Sequence, residues 1–193
     1  MHTPICAKLK YLYPYLQHHP SLLSNRQATV QNAMDFSNFF NYGDESPTRP
    51  NSTALVFLPQ CSEQDWEQLL AVADRRAVRA GEVVMRQGET SRAFYVVASG
   101  LLQVMLQKPN GQEHVISDIG ALSIFGEQAF FDGLPRSASV RALEASEVYA
   151  ISFERFEVLA GHHPELARMV LVDLGRIVSL RLREMNALVF KSR

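Results

Sequence analysis

Cysteine is scarce in this sequence of 193 residues: Cys6 and Cys61 are the only two. They stand far apart and form no Cys-x-x-Cys pair. That excludes a disulfide framework and a dithiol redox motif, and it fits two free thiols in a reducing compartment. Net charge is scarce as well. Lys and Arg number 19 against 20 Asp and Glu, a formal charge of −1, without the basic excess that marks most nucleic-acid-binding domains. No stretch reaches the ~18 consecutive apolar residues of a membrane span. Lys8 and Lys10 are followed by Tyr, Pro, Gln and His rather than by the apolar core of a signal peptide. Together these absences predict a soluble, cytoplasmic protein with no membrane partner. No nucleophile–base or acid–base constellation stands out, so no enzymatic activity is predicted. His18-His19 and His162-His163 lack Cys or carboxylate partners at ligand spacing and read as surface residues, so no metal and no resident cofactor is predicted.

What is present is an ordinary globular composition, 47% hydrophobic and 20% charged, long enough for one cored domain plus an extension. Residues 1–57 read as the extension. Tyr11, Tyr13 and Tyr15 alternate near its start, Asn25–Tyr42 predicts a short helix with Val30, Ala33, Met34 and Phe36 on one side, and Gly43–Thr53 has linker composition. Residues 58–193 read as the domain. Ser62 suits an N-cap, with Glu63 and Asp65 favourable to the helix dipole, and Trp66, Leu69, Leu70 and Ala73 predict an amphipathic helix to about Asp74.

Short apolar runs follow: Val83–Met85, Phe94–Val97, Leu101–Leu106 and His114–Ile116. Turn signals separate them at Ala80-Gly81, Gln87-Gly88-Glu89, Ser99-Gly100, Pro109-Asn110-Gly111, Gly120 and Asp132-Gly133. That spacing predicts a β-sandwich or barrel. A last strand at Val148–Ile151 leads into a helical turn, and Pro164 opens a long helix over about 164–189. Leu171, Leu174, Val178, Leu182, Met185 and Val189 form one apolar stripe on it; Leu166, Val170, Ile177 and Leu188 form a second. Two stripes imply two packing partners, the barrel and a second copy of the same helix.

The most informative stretch is Phe125–Val140, F-G-E-Q-A-F-F-D-G-L-P-R-S-A-S-V. Gly126 permits a close approach of backbone to ligand. Glu127 with Ala129, Phe130 and Phe131 reads as the start of a short helix whose free N–H groups favour an anion. Arg136 offers a planar fork suited to phosphate, and Ser137 adds a hydroxyl. The residues alone also admit a plainer reading, in which Glu127 caps the helix and Arg136 is a turn residue paired with it.

This stretch resembles the phosphate-binding cassette of the cyclic-nucleotide-binding domains found in the bacterial cAMP receptor protein family and in regulatory subunits of cyclic-nucleotide-dependent kinases. Their cassette reads F-G-E-x-A, two apolar residues, then P-R-(S/A/T)-A-(T/S)-V. Ala80-Gly81, Gln87-Gly88-Glu89, Phe94–Val97 and Gly100 fall in the family's order, so the resemblance covers roughly Leu58 to Val189. It implies a mainly β fold with flanking helices: a double-stranded β-helix, or jelly-roll-like β-roll, with a short N-terminal and a long C-terminal helix. It also implies cAMP or cGMP as ligand, Glu127 as acceptor of the ribose 2′-hydroxyl, and Arg136 as partner of the cyclic phosphate. Ser137 and backbone N–H groups near Gly126 and Gln128 would assist, with Phe125 and Ala138 completing the cassette contacts. Binding would move the C-terminal helix and break no bond.

Two departures qualify the resemblance. Between Gly120 and Phe125 the chain reads A-L-S-I, longer than the family's short link, which bears on the pocket mouth. Where cAMP-reading bacterial activators carry a Thr-Ser pair near the base, a gapless alignment puts Arg181 and Leu182. Arg181 is therefore either a purine-stacking residue or a solvated helix residue, and the base stays open. Bacterial transcription factors of the family continue into a helix-turn-helix domain, whereas Lys191-Ser192-Arg193 closes this sequence, so DNA binding is not expected from this chain alone. The readings left are a sensor signalling to an unknown protein partner or through its own homodimer, a truncated or divergent transcription regulator, a module for an enzyme on another chain contacted through residues 1–55, and a degenerate domain that keeps the fold without the ligand.

Overall fold

The computed structural model describes residues 55–108 and 110–191. The helix predicted over Asn25–Tyr42, the linker Gly43–Thr53, Cys6 and His18-His19 lie outside them, as do the side chains of Leu188 and Val189.

Helix α1 (Glu63–Ala71) starts where its sequence predicts. The Ser62 hydroxyl accepts the Asp65 N–H at 3.2 Å, and the Asp65 carboxylate accepts the Ser62 N–H at 3.0 Å, a reciprocal capping box. The helix stops short of the predicted Asp74 because Asp74 opens the first strand. Eight strands follow: β1 (Asp74–Val78), β2 (Val83–Met85), β3 (Ala93–Ser99), β4 (Leu102–Gln107), β5 (Glu113–Ile119), β6 (Ile124–Phe125), β7 (Ser139–Ala142) and β8 (Ser146–Ser152). Helix α2 (Glu127–Asp132) sits between β6 and β7, and α3 (Phe153–His162) and α4 (Pro164–Lys191) close the described chain. The strands pair antiparallel in two four-stranded sheets, ordered β1-β8-β3-β6 and β2-β7-β4-β5. This is the mainly β, jelly-roll-like roll flanked by helices that the resemblance implied.

The first sheet separates two apolar compartments, which is why its inner strand β3 reads as an unbroken apolar run. Side chains alternate across a strand. Ala93, Tyr95 and Val97 of β3 therefore point between the sheets, with Met85, Leu102, Phe125, Val140 and Val148. Phe94 and Val96 point to the outer face, where Trp66, Leu69, Phe130, Phe156, Val170 and Leu174 pack on them. A strand buried on both faces shows no polar alternation. The core reaches back to Val56 and Phe57, and the Phe57 ring lies edge-on to both Trp66 and Phe94. The A-L-S-I link tucks inward as well: Leu122 is buried, with a left-handed φ of 63°, and its N–H donates to the Val97 carbonyl at 2.9 Å.

Helix α4 divides its apolar residues differently from the two predicted stripes. Leu166, Val170, Leu174 and Ile177 are buried, while Leu171, Leu182 and Met185 are exposed. Leu174 belongs to the buried stripe because it stands four residues after Val170 and three before Ile177, on one helix face.

Candidate functional site

β6 delivers the cassette. Phe125 enters the space between the sheets and stacks on Tyr95, ring centroids 4.6 Å apart and 2° from parallel. The chain then turns at Gly126 with φ of 79°, the left-handed N-cap from which α2 starts at Glu127. The glycine is obligatory here. A Cβ at this position would stand 2.6 Å from Arg136 Nη1, closer than real Cβ atoms come, and a tight 3.1 Å from the Ala93 carbonyl oxygen.

Arg136 explains that crowding. It is 2% exposed and is held from three sides. Nη1 donates to the Ala93 carbonyl at 2.6 Å and to the Gly126 carbonyl at 2.8 Å, and Nε donates to the Ser91 hydroxyl at 3.0 Å. Its backbone is pinned to the Gln87-Gly88-Glu89 turn: the Gly88 N–H donates to the Arg136 carbonyl, and the Arg136 N–H to the Glu89 carbonyl. Nη2 is left, buried and without a hydrogen-bond partner among the described residues. Burial lowers the guanidinium pKa, opposed by the neighbouring Tyr95, Glu89 and Glu127. Arginine starts so far above neutrality that the group stays cationic. The chain thus keeps a positive charge in its interior with one donor unspent, an arrangement that costs free energy until an anion supplies the acceptor.

Glu127 is buried too, 4% exposed. Its partner comes from α4: Arg181 Nη1 donates to Glu127 Oε1 at 2.6 Å, and Nη2 donates to the Ile124 carbonyl at 2.6 Å. The plainer reading, in which Glu127 pairs with Arg136, is not what forms. Arg136 spends its bonds on carbonyls and a hydroxyl, while Glu127 is held by the long helix.

One cavity of about 240 Å³ joins these groups. Phe125, Gly126, Glu127, Gln128, Arg136, Ser137, Ala138 and Arg181 all line it. Leu182, the other residue of the gapless alignment, is 57% exposed and stands outside the lining. Within a turn of Arg181, Glu184 and Met185 face the cavity instead. Further wall residues come from the β4–β5 side, among them Val104 and Ile116–Ile119, and from Leu55 just before the core. Sequence reasoning did not reach these. The helical period points from Arg181 to Glu184 and Met185, but no local signal marks Leu55 or Ser91, which arrive from distant parts of the chain. Cys61 is no part of the site: it is buried in the core, and burial pushes its thiol up to about 12.

A β-roll wrapped by helices thus carries a buried cation and a buried carboxylate on the lining of one cavity. Residues 75–163 match the family model of the cyclic nucleotide-binding domain. Over 115 residues it is 32% identical to the cyclic AMP receptor protein of Thermus thermophilus, covering 60% of this chain and 51% of that protein. It is 32% identical over 108 residues to the cAMP-dependent protein kinase regulatory subunit of Blastocladiella emersonii, covering 55% of this chain and 27% of that one. Among solved structures it resembles the Thermus thermophilus catabolite activator protein, with TM-score 0.62 and 28% identity, covering 68% of this chain and 60% of that one. The chain spans about half the length of the first of these relatives.

Proposed function

We propose that this chain is a cyclic-nucleotide sensor that takes cAMP or cGMP into the cavity beneath α4 and signals its occupancy through that helix. The unsatisfied Nη2 of Arg136 carries the reading. A cyclic phosphate, a compact monoanion, supplies the acceptor that this buried donor lacks and neutralises a cation already desolvated. Ser137 and the first-turn N–H groups of α2 serve the remaining phosphate oxygen. Glu127 accepts the ribose 2′-hydroxyl on the oxygen that Arg181 leaves. The base lies along the β4–β5 wall, with Glu184 and Met185 over it. Both named relatives carry cAMP in their names, so cAMP is the first ligand to try.

No bond is made or broken in this scheme, and the output is mechanical. The exposed Leu171 and Leu182 of α4 form the seam of a homodimer, and a protein partner of a reducing, cytoplasmic compartment reads the state of the helix. Calorimetric titration of the wild-type chain and of Arg136→Ala with cAMP and cGMP tests the site. Removing one partner of a buried charged pair costs about 2–5 kcal/mol, roughly 30- to 5,000-fold in Kd. Equal affinity in the two proteins would overturn the assignment.

A further inference from the structure

The first described residues run between the cavity and α4. Leu55 is half-buried and lines the cavity. The three residues after it are each tied by their backbone. The Val56 carbonyl accepts from Arg176 Nη2 at 2.7 Å, the Phe57 N–H donates to the Leu122 carbonyl at 2.9 Å, and the Leu58 N–H donates to Asp173 Oδ2 at 2.7 Å. Asp173 and Arg176 are joined to each other at 2.6 Å, Oδ1 to Nε, with side chains only 13% and 25% exposed. This pair differs from an ordinary i,i+3 surface ion pair, because each partner turns a second polar atom onto the backbone of the strap. Leu58 holds a φ of 49°, left-handed backbone that a residue with a Cβ keeps only where its surroundings dictate it. The surroundings here are the Asp173 carboxylate and the buried Phe57.

The helix that grips the strap also grips the cassette. Arg181 lies within two turns of Arg176 and holds Glu127 and the Ile124 carbonyl. One rigid element therefore connects the residue proposed to meet the ribose with the residue at the boundary of the N-terminal extension. Resting on the cyclic-nucleotide reading above, we infer that Leu55 is a ligand-contacting residue of the cavity wall, held in place by Asp173 and Arg176 as positioning residues. Occupancy of the cavity thereby reaches residues 1–54 through the strap Leu55–Leu58.

A double-mutant cycle on the full chain tests this, with Kd for cAMP and cGMP measured by calorimetry on wild type, Leu55→Ala, Asp173→Ala and the double variant. Truncating Leu55 removes apolar contact worth roughly tenfold in Kd. Releasing the strap by Asp173→Ala produces a similar loss. The double variant is no weaker than the weaker-binding single, because a Leu55 already released has nothing further to lose. Amide exchange supplies a second readout: the Leu58 amide gains protection with ligand in the wild type and not in Asp173→Ala. If Asp173→Ala does not fold, Arg176→Gln takes its place in the cycle. Unchanged affinity in Leu55→Ala, fully additive losses, or a Leu58 amide indifferent to ligand each overturn the inference while leaving the sensor reading standing. A wild-type chain that binds neither nucleotide removes both.

Discussion

A methyl group at position 126 would meet the Arg136 guanidinium at 2.6 Å, on a backbone already at φ of 79°. Gly126→Ala therefore pays twice, in left-handed strain of about 1–2 kcal/mol and in displacing a guanidinium whose three fixed bonds aim it at the cavity. Its urea midpoint should fall by an amount equivalent to about 1–3 kcal/mol, and its nucleotide affinity should fall at least as far as that of Arg136→Ala. A variant that keeps wild-type affinity would show that the ligand does not use this arrangement. Gly126, Glu127 and Arg136 stood out in the sequence because the cassette is contiguous and resembles that of a known family; their residue types alone also admitted the plainer pairing. The acceptors that orient Arg136, on Ser91 and Ala93, did not stand out. A serine hydroxyl and a backbone carbonyl look like nothing in sequence until the β3 edge brings them within hydrogen-bond distance.

At the level of elements, α4 is one helix with three kinds of contact. Leu166, Val170, Leu174 and Ile177 pack on the first sheet, Arg181 and Met185 line the cavity, and Leu171 and Leu182 face out. An amphipathic helix has one stripe for its own core, so a second exposed stripe predicts a partner helix. Wild type should sediment as a dimer at micromolar concentration, and Leu182→Glu should sediment as a monomer, since opposing carboxylates at a desolvated seam cost more than the seam returns. A wild-type monomer, with and without ligand, would remove the dimer. That the helix exists and carries two stripes was readable from spacing and from Pro164. The assignment of Leu174 was not, because residues of both stripes lie within one turn of each other and only the packing chooses. The long apolar run at Phe94–Val97 gave a strand but no facing, since both its faces are covered.

For the whole molecule, the consequence is linkage between ligand and stability. A ligand that binds only the folded chain adds about 2.7 kcal/mol at a concentration 100 times its Kd, roughly 5–10 °C in Tm for a protein of this size. The wild type should show that shift with its cognate nucleotide and Arg136→Ala should not. No shift with either cAMP or cGMP, at concentrations up to millimolar, would count against a sensor. Among the described residues no helix is long and apolar enough to cross a membrane, and no cluster of three His, Cys, Asp or Glu side chains is placed to hold a metal ion.

By itself the sequence determined the class of fold, the cassette and the order of its elements. Those depend on local spacing: turn residues between short apolar runs, a capping serine, and a carboxylate and a guanidinium carried on one loop. Tertiary structure alone decided what each charged group meets. Arg136 ends among carbonyls with a donor to spare, Glu127 is taken by Arg181 from 54 residues away, and Asp173 and Arg176 close on a strap 115 and 120 residues distant. Such pairings are set by desolvation and by the packing of α4 on the sheet, and no periodicity along the chain encodes them.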